Sequence, residues 1–288
     1  MVGLVMRLYR ASPLHPHLGA GLARLLGRFT RHLPSPQLRS VDGIRFELDL
    51  SEVIDASLFF SGSFEPRAER TIARHLGPGA TAIDVGANIG YHTLRMARSV
   101  GARGRVVAIE PAARAGARLR RNLELNPFTN VAVVVAALSD HDSEREELEL
   151  QSSYPLSGRG GMERVRVRVS RLDTLVSELV LERVDLIKID VDGHEGRVLR
   201  GALGTLERFR PTVFFELTPS AVEKNGDSVA ELLGSLHALG YTIADEQGKS
   251  LPDPVGVARF LPRGAGRNLL ARPRQVSGAR VPAAPTAG

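Results

Sequence analysis

The chain has 288 residues, of which 43% are hydrophobic and 24% are charged. This composition is typical of a globular protein with a full core, and it excludes a wholly disordered chain and a multi-span membrane protein. The absence of cysteine excludes disulfide scaffolds, cysteine nucleophiles and thiolate metal sites, and it fits a reducing compartment. Because no secretion signal is recognisable, we expect a cytoplasmic protein.

The formal net charge of +6 is unevenly distributed. Residues 1–41 and residues 254–288 each hold six arginines and no carboxylate, which leaves 26 cations against 32 carboxylates in between. A negatively charged body is a poor match for a phosphate backbone, since affinity for nucleic acid comes from many cations on one surface. We therefore expect no nucleic-acid partner.

Three regions follow from these shifts in composition. They are a basic, partly helical N-terminal arm over residues 1–40, a catalytic domain over 41–262 and a disordered tail over 263–288. The arm has apolar residues at helical spacing but no run long enough to span a bilayer, so we expect no transmembrane segment. A helix packed on the domain or a frayed terminus is expected there, with peripheral membrane contact as the alternative.

Between the two basic ends, short β-branched runs alternate with helical patterns, which is typical of a parallel sheet covered by helices. In chain order, the pattern predicts strand 81–85, helix 89–100, strand 105–109, helix 112–125, strand 131–137, strand 184–190, a helix around 198–206, strand 212–216, a helix from 229 and late strands at 241–244 and 257–261.

A different rhythm interrupts this series. Residues 147–150 alternate glutamate with leucine, and residues 164–169 alternate arginine with valine, which predicts an antiparallel hairpin with a Glu–Arg outer face. The linking residues 152–162 form a loop by composition, and we expect them to border the substrate pocket together with the N-terminal arm. The predicted fold class is α/β, a mostly parallel sheet with helices on both faces, an antiparallel hairpin insertion and late antiparallel strands.

The most informative motif is the glycine turn at residues 84–90, where the first strand ends and a helix begins. In an open parallel sheet, ligands bind outside the carboxyl ends of the strands. Gly86 lets the backbone pass close to a ligand, and free amides at the helix start favour a carboxylate or phosphate. Glu110, which ends the second strand, is placed to accept hydrogen bonds from both hydroxyls of a ribose. These features predict an adenosine-type pocket.

The spacing of the turn discriminates between cofactors, because it is not the G-x-G-x-x-G of a dinucleotide site. S-adenosylmethionine carries a sulfonium, an ammonium and one carboxylate, and Asp84 suits an ammonium better than a pyrophosphate. We therefore favour this donor over NAD. The alternatives are an NAD-dependent oxidoreductase, a non-catalytic membrane- or partner-binding adaptor with a vestigial pocket, and a tight turn with no ligand at all.

Six segments stand in a fixed order: Phe64-Glu65-Pro66, IDVGANIGYHTL at 83–94, Glu110-Pro111, Leu125-Asn126, Ala137-Leu138-Ser139-Asp140 and KIDVDGHE at 188–195. In these segments the chain resembles the FkbM-type methyltransferases, over roughly residues 58–241. The resemblance implies a class I, Rossmann-like methyltransferase fold, S-adenosylmethionine as cofactor, and methyl transfer to a hydroxyl of a glycan, polyketide or other small natural product. Asp192 departs from the family, which usually has glutamate there.

Donor-binding residues are expected at Glu65, Asp84, Gly86, Ala87, Asn88, Gly90, Glu110, Ala137 and Asp140. Glu65 rests on the resemblance alone. Gly90 is expected to permit close packing of the helix, and Asp140 has a turn-capping role as its alternative. Lys188 interrupts an apolar strand, so an ion pair with a strand-end carboxylate is expected, with a catalytic lysine as the alternative.

Methyl transfer to an alcohol requires alignment of the reacting atoms and a base or metal that takes or acidifies the hydroxyl proton. Asp190 is the first candidate, because it ends the fourth strand beside the expected donor. Glu216, His194 and Glu195 are the other catalytic candidates, with helix capping as the alternative for the last two. Oxygen ligands at Asp190, Asp192 and Glu216 suit Mg²⁺, but spacing alone supports no metal and we assign no ligands. The oligomeric state is left open.

Overall fold

A computed structural model of the chain describes residues 35–151, 154–156, 161–251, 253, 256, 261 and 265–274. The predictions for the N-terminal arm up to residue 34, for most of the strand at 257–261 and for the chain beyond residue 274 lie outside these residues. Over the described part of the chain, no helix has the length and apolar character needed to cross a bilayer.

Thirteen strands and nine helices form within the described residues. The strands are β1 (Gln37–Val41), β2 (Ile44–Leu48), β3 (Thr81–Val85), β4 (Arg105–Ile109), β5 (Val131–Val134), β6 (Ala137–Leu138), β7 (Ser143–Gln151), β8 (Met162–Ser170), β9 (Leu186–Ile189), β10 (Thr212–Leu217), β11 (Tyr241–Asp245), β12 (Ser250–Leu251) and β13 (Arg267–Pro273). The helices are α1 (Val53–Ser61), α2 (Pro66–Arg74), α3 (Tyr91–Val100), α4 (Ala113–Glu124), α5 (Leu172–Glu178), α6 (Glu195–Arg200), α7 (Leu203–Phe209), α8 (Pro219–Lys224) and α9 (Val229–Ala238).

The main sheet has eight strands in the order β12-β11-β13-β10-β9-β3-β4-β5. The five strands from β10 to β5 are parallel, and β13 pairs antiparallel with both β10 and β11. All residues of β3 and β9 are buried, as expected for central parallel strands covered on both faces. The predicted α/β fold class is confirmed.

A second sheet has three strands in the order β6-β8-β7. Glu147 lies opposite Arg166 and Glu149 opposite Arg164, and Arg166 Nε lies 3.5 Å from Glu147 Oε2. The predicted hairpin with a Glu–Arg face is therefore confirmed. The single strand predicted at 131–137 is divided instead, because β5 joins the main sheet and β6 pairs with β8.

The hairpin of β1 and β2 corrects the start of the predicted domain, since β1 begins at Gln37 inside the predicted arm 1–40. Asp42 and Gly43 have positive φ and form the two-residue turn that this dipeptide favours. Phe46 and Leu48 are fully buried in a cluster that also contains residues of α1 and α3. The hairpin thus belongs to the folded body.

The C-terminal boundary is also wrong, because β13 lies inside the predicted tail 263–288. Leu269, Leu270 and Ala271 are at most 2% exposed, between the neighbouring strands β10 and β11. The apolar run is short and flanked by arginines at 267 and 272, so composition alone does not reveal it. β13 is an interior strand with hydrogen-bond partners on both of its edges, and composition does not reveal such partners.

Removal of residues 266–288 is expected to prevent stable folding. Full burial of a leucine contributes about 1.5–3 kcal/mol, so Leu269 and Leu270 together account for a large part of a typical domain stability of about 5–15 kcal/mol. Thermal unfolding by circular dichroism measures the effect. Removal of residues 276–288, which leaves β13 intact, is the matched control and should keep the transition near the wild-type temperature. A cooperative, wild-type transition in the shorter protein would contradict the placement of β13.

Candidate active site

The crevice of interest lies at the carboxyl ends of β3, β4, β9 and β10, where the order of the parallel strands reverses. From β3 the chain continues to β4 on one side, while β9 lies on the other side. Such a reversal is the usual ligand site of an open α/β sheet. The ends of these four strands bring together the predicted residues Gly86, Glu110, Asp190 and Glu216.

The glycine turn is built by close approach of two strand ends. Gly86 has φ +75°, and a Cβ there would lie 1.9 Å from the carbonyl oxygen of Asp190, so that only glycine fits. Gly90 has φ +88°, and a Cβ there would lie 2.5 Å from Leu119 Cδ1. The close packing expected at Gly90 is thus between α3 and α4.

The amides of this turn are already engaged within the chain. Gly86 and Ala87 both donate to the carbonyl oxygen of Ile109, at 3.0 and 3.1 Å. Asn88, which has φ +48°, donates to Glu110 Oε2 at 2.8 Å. These three amides therefore do not form the free anion site that we expected from the sequence, and their role is to shape the turn.

Glu110 is fixed at the rim of the crevice. Its Oε2 accepts from Asn88 and its Oε1 accepts from the amide of Ala112 at 2.8 Å, and the residue is 7% exposed. Burial raises the pKa of Glu110, and the two hydrogen bonds partly oppose that rise. Each carboxylate oxygen keeps a second lone pair, so both remain able to accept from the hydroxyls of a ribose.

Lys188 lies under the crevice as a buried ammonium between two carboxylates. Its Nζ is 3.3 Å from Asp84 Oδ1 and 3.4 Å from Asp190 Oδ2, and it donates to the carbonyl oxygen of Gly86 at 3.1 Å. Burial alone lowers the pKa of a lysine, but Asp84 and Asp190 outweigh it and raise the pKa of Lys188. The predicted structural ion pair is therefore present.

Asp84 faces this ammonium and not the open crevice. Its carboxyl group is 0% exposed, and its Oδ2 accepts from the hydroxyl of Thr93 at 2.6 Å. The predicted direct contact of Asp84 with a ligand ammonium does not fit this arrangement, because Lys188 occupies the position of that cation. Asp84 instead fixes Lys188 and, through it, Asp190.

Asp190 and Glu216 form a carboxyl pair at the ends of neighbouring strands. The Asp190 side chain is 38% exposed, and its charge acts on the carboxyl group of Glu216. Burial, together with the charges of Asp190 and Glu65, raises the pKa of Glu216 to about 8. Such a pair holds one proton near neutral pH and can exchange it with a bound group.

Glu65 is carried to the crevice by contacts with α3. The hydroxyl of Tyr91 accepts from the amides of Phe64 and Glu65 at 2.9 and 3.1 Å. The carboxylate of Glu65 lies 3.0 Å from Nε2 of His92 and remains 27% exposed. The segment Phe64-Glu65-Pro66 is thus fixed by contacts with α3, and the charge of Glu65 acts on Glu216.

The carboxylate of Glu195 stabilises the turn that precedes α6. Its Oε1 accepts from the amides of Val191 and Gly193, both at 3.2 Å, and burial raises its pKa to about 7. His194 is the N-cap residue of α6, and burial and Arg197 lower the pKa of its imidazole. The first turn of α6 has no side-chain cap, and Glu195 Oε2 has no hydrogen-bond partner in the described part of the chain.

Asp140 and Ala137 lie on the second sheet. Ala137 is the register partner of Val169 in β8. Asp140 Oδ2 accepts from Arg200 Nε at 2.9 Å, and the hydrogen bonds from Arg200 and His141 lower its pKa against the effect of burial. These polar contacts tie the end of β6 to α6, which is closer to the capping alternative than to a contact with adenine.

The sequence pattern does not predict the role of Tyr154. Its hydroxyl donates to Asp192, its amide donates to Glu52 Oε2 at 2.7 Å, and its carbonyl oxygen accepts from Val53 at 2.8 Å. Burial and the charge of Asp192 raise the pKa of the Tyr154 phenol, so the phenol stays protonated. A tyrosine within a loop of serine and glycine is a weak signal, because only the fold shows that this loop meets the end of β9.

The described residues contain no group of three or more His, Cys, Asp or Glu side chains arranged to hold a metal ion. Of the three acids considered for Mg²⁺, Asp192 accepts a hydrogen bond from the hydroxyl of Tyr154.

Most of the residues described above lie in a region that matches a known protein family. A family model described as the methyltransferase FkbM domain matches residues 84–243. The chain is 33% identical over 165 residues to AMB antimetabolite synthetase AmbE of Pseudomonas aeruginosa, covering 44% of this chain and 8% of that protein. It is 30% identical over 152 residues to 2-O-methyltransferase NoeI of Sinorhizobium fredii, covering 46% of this chain and 61% of that protein. The chain thus spans less than two thirds of either relative.

Among solved structures, methyltransferase FkbM from Methylobacillus flagellatus is similar with a TM-score of 0.42 and 15% identity. The similarity covers 77% of this chain and 66% of that one.

Replacement of Lys188 by methionine is expected to lower the free energy of unfolding by about 3–5 kcal/mol, because it leaves the buried carboxylate of Asp84 without its cation. Chemical denaturation measures the loss, and adding Asp84→Asn should restore part of it. Arg166→Met, which breaks the exposed ion pair with Glu147, is the control and should change stability little. Equal effects of the two single variants would contradict the described burial of the Lys188 ion pairs.

Proposed function

Because this chain belongs to the FkbM methyltransferase domain family and its methyl donor is S-adenosylmethionine, we propose that it methylates a hydroxyl oxygen of a glycan or natural-product small molecule. The observation that carries this proposal is the carboxyl pair of Asp190 and Glu216, which provides a proton acceptor at the crevice. The relative NoeI, named a 2-O-methyltransferase, supports an oxygen acceptor. The family match gives no support to the NAD-dependent alternative.

The donor fits the crevice by charge and by hydrogen bonding. Glu110 has lone pairs for two ribose hydroxyls, and the carboxylates of Glu65 and Asp192 add negative charge near Glu216. A cationic sulfonium suits such a site, because opposite charges attract strongly where water is partly excluded. When bound, the donor supplies an electrophilic methyl group.

The residues of this chain supply alignment and proton transfer. An alcohol is a weak nucleophile while protonated, and a general base is most effective when its pKa lies near the working pH. The pair of Asp190 and Glu216 meets that condition, since Glu216 has a pKa of about 8. In this proposal the acceptor hydroxyl binds beside Asp190, its proton passes to the pair, and Lys188 holds the Asp190 carboxylate in place.

The remaining residues have positioning roles in this scheme. Asp84 and Thr93 hold Lys188, and the glycine turn fixes Glu110 through Asn88. Tyr154 holds Asp192 at the mouth of the crevice, where the family usually has the longer glutamate. The net negative charge of the central chain, 26 cations against 32 carboxylates, favours a small acceptor over a phosphate backbone.

Glu110→Ala is expected to weaken donor binding at least tenfold with a smaller effect on turnover, because it removes the ribose acceptor. Asp190→Ala is expected to lower turnover at least a hundredfold while donor binding changes little, because it removes one member of the proton-accepting pair. Calorimetry with S-adenosylmethionine and turnover with labelled donor on a panel of hydroxylated glycans and metabolites separate the two effects. Glu124→Ala, on the exposed face of α4, is the control. The reverse pattern would mean that the two roles are misassigned.

Activity is expected to rise with pH, with an apparent pKa near 8 that belongs to the pair, because the pair must lose a proton before it can take one from the acceptor. The stability of the fold, in contrast, should decrease with rising pH. The folded state keeps a proton on Glu216 between the ordinary pKa of 4.5 and about 8, so the free energy of unfolding falls as pH rises through that window.

The pH profile of kcat/KM and the melting temperature from pH 5 to pH 9 measure both effects. Glu216→Gln should remove the basic rise in activity and part of the pH dependence of stability, whereas Glu178→Gln, an exposed acid on α5, should keep both. A wild-type rate that is flat from pH 6 to pH 9 would refute the role of the pair.

A further inference from the structure

A cavity beside the strand that carries Glu216 is used by none of the roles above. The geometry points to this cavity, of about 570 Å³, as the acceptor pocket, and to a polyhydroxylated compound of sugar size as its ligand. This inference rests on the proposed methyl transfer to a hydroxyl. It places the acceptor away from the loop 152–162 and the N-terminal arm, where the sequence led us to expect it.

The cavity lies next to Glu216. It is enclosed by the start of α2, the turn that joins β11 to β12, the start of β13 and the residues Asp253, Gly256 and Leu261. Asn268, which lines it, is the register partner of Glu216. Gly266, which also lines it, comes so close that a Cβ there would lie 1.6 Å from Glu216 Oε1. The lining residues Gly266 and Asn268 are therefore direct neighbours of Glu216.

The walls of the cavity carry both hydrogen-bond donors and acceptors. The donors are the guanidinium groups of Arg67 and Arg267 and the side-chain amides of Gln247 and Asn268, and the acceptors include the carboxylates of Asp245, Glu246 and Asp253. The apolar lining that the structure describes consists of leucines, with no aromatic ring. Such a wall suits a ligand with several hydroxyl groups, each of which donates and accepts. The volume lies in the range of ordinary small-molecule sites.

Contacts among the wall residues fix the shape of the cavity. The hydroxyl of Thr71 donates to the carbonyl oxygen of Glu246 at 2.7 Å, and Arg67 Nη1 lies 3.6 Å from Glu246 Oε1. Asp245 Oδ1 accepts from the amides of Gln247 and Lys249, at 3.0 and 2.8 Å, which fixes the turn. Polar groups that are already positioned bind a ligand with less loss of entropy.

The turn offers a matched pair of variants. Gln247 and Lys249 are both exposed, and both give their amides to Asp245, but only Gln247 lines the cavity. Gln247→Trp should fill the pocket, and Lys249→Trp adds the same ring outside it. Neither substitution touches the donor crevice.

The test uses the full chain loaded with S-adenosylhomocysteine, and it measures binding of a panel of methyl glycosides by ligand-observed NMR. At least one methyl glycoside should bind wild type and Lys249→Trp alike and bind Gln247→Trp at least tenfold more weakly. Binding of S-adenosylhomocysteine should be equal in all three proteins, which also shows that each is folded.

The outcomes separate the two proposals. Glycoside binding that is equal in Gln247→Trp and wild type, or absent from wild type while S-adenosylhomocysteine binds, would overturn the pocket alone. Failure of wild type to bind S-adenosylhomocysteine would overturn the proposed function itself.

Discussion

The buried ammonium of Lys188 is the interaction on which the catalytic edge depends. It joins Asp84 of β3 to Asp190 at the end of β9, and it holds the carbonyl oxygen of Gly86 between them. A charge buried to this extent is stable only when it is paired. The ion pairs of Lys188 therefore fix the strand ends and the turn relative to one another. The same contact keeps the exposed carboxylate of Asp190 in a defined place.

The ion pairs of Lys188 explain why acidic groups can lie together at one edge of the sheet. The charges of Glu65, Asp190 and Asp192 act on Glu216, and burial of Glu216 is accommodated by retention of a proton. A cluster of this kind costs stability in the absence of a ligand, because like charges repel in a region of low dielectric. Clusters of like charge that lower stability are characteristic of functional sites, where a cationic ligand can balance the charge.

The parallel half of the fold and the identity of the strand-end acids were predictable from sequence. The strands at 81–85 and 105–109 agree residue for residue with β3 and β4, since buried parallel strands form uninterrupted apolar runs bounded by a turn. Directions of side chains were not predictable. Asp84 and Asp190 both end parallel strands and both pair with Lys188, yet the Asp84 side chain is fully buried while that of Asp190 is 38% exposed. Tyr154 and β13 were missed for a related reason, because their environment is created by residues more than 20 positions away in sequence.

The interior position of β13 has a consequence for assembly of the sheet. Its partners β10 and β11 precede it by more than 20 residues, so both have a strand edge without a hydrogen-bonding partner until β13 arrives between them. Unpaired edges of apolar strands invite pairing with other chains. A newly made chain of this protein therefore passes through a stage in which its sheet is split and open to aggregation, and that stage ends only when its C-terminal strand has been inserted.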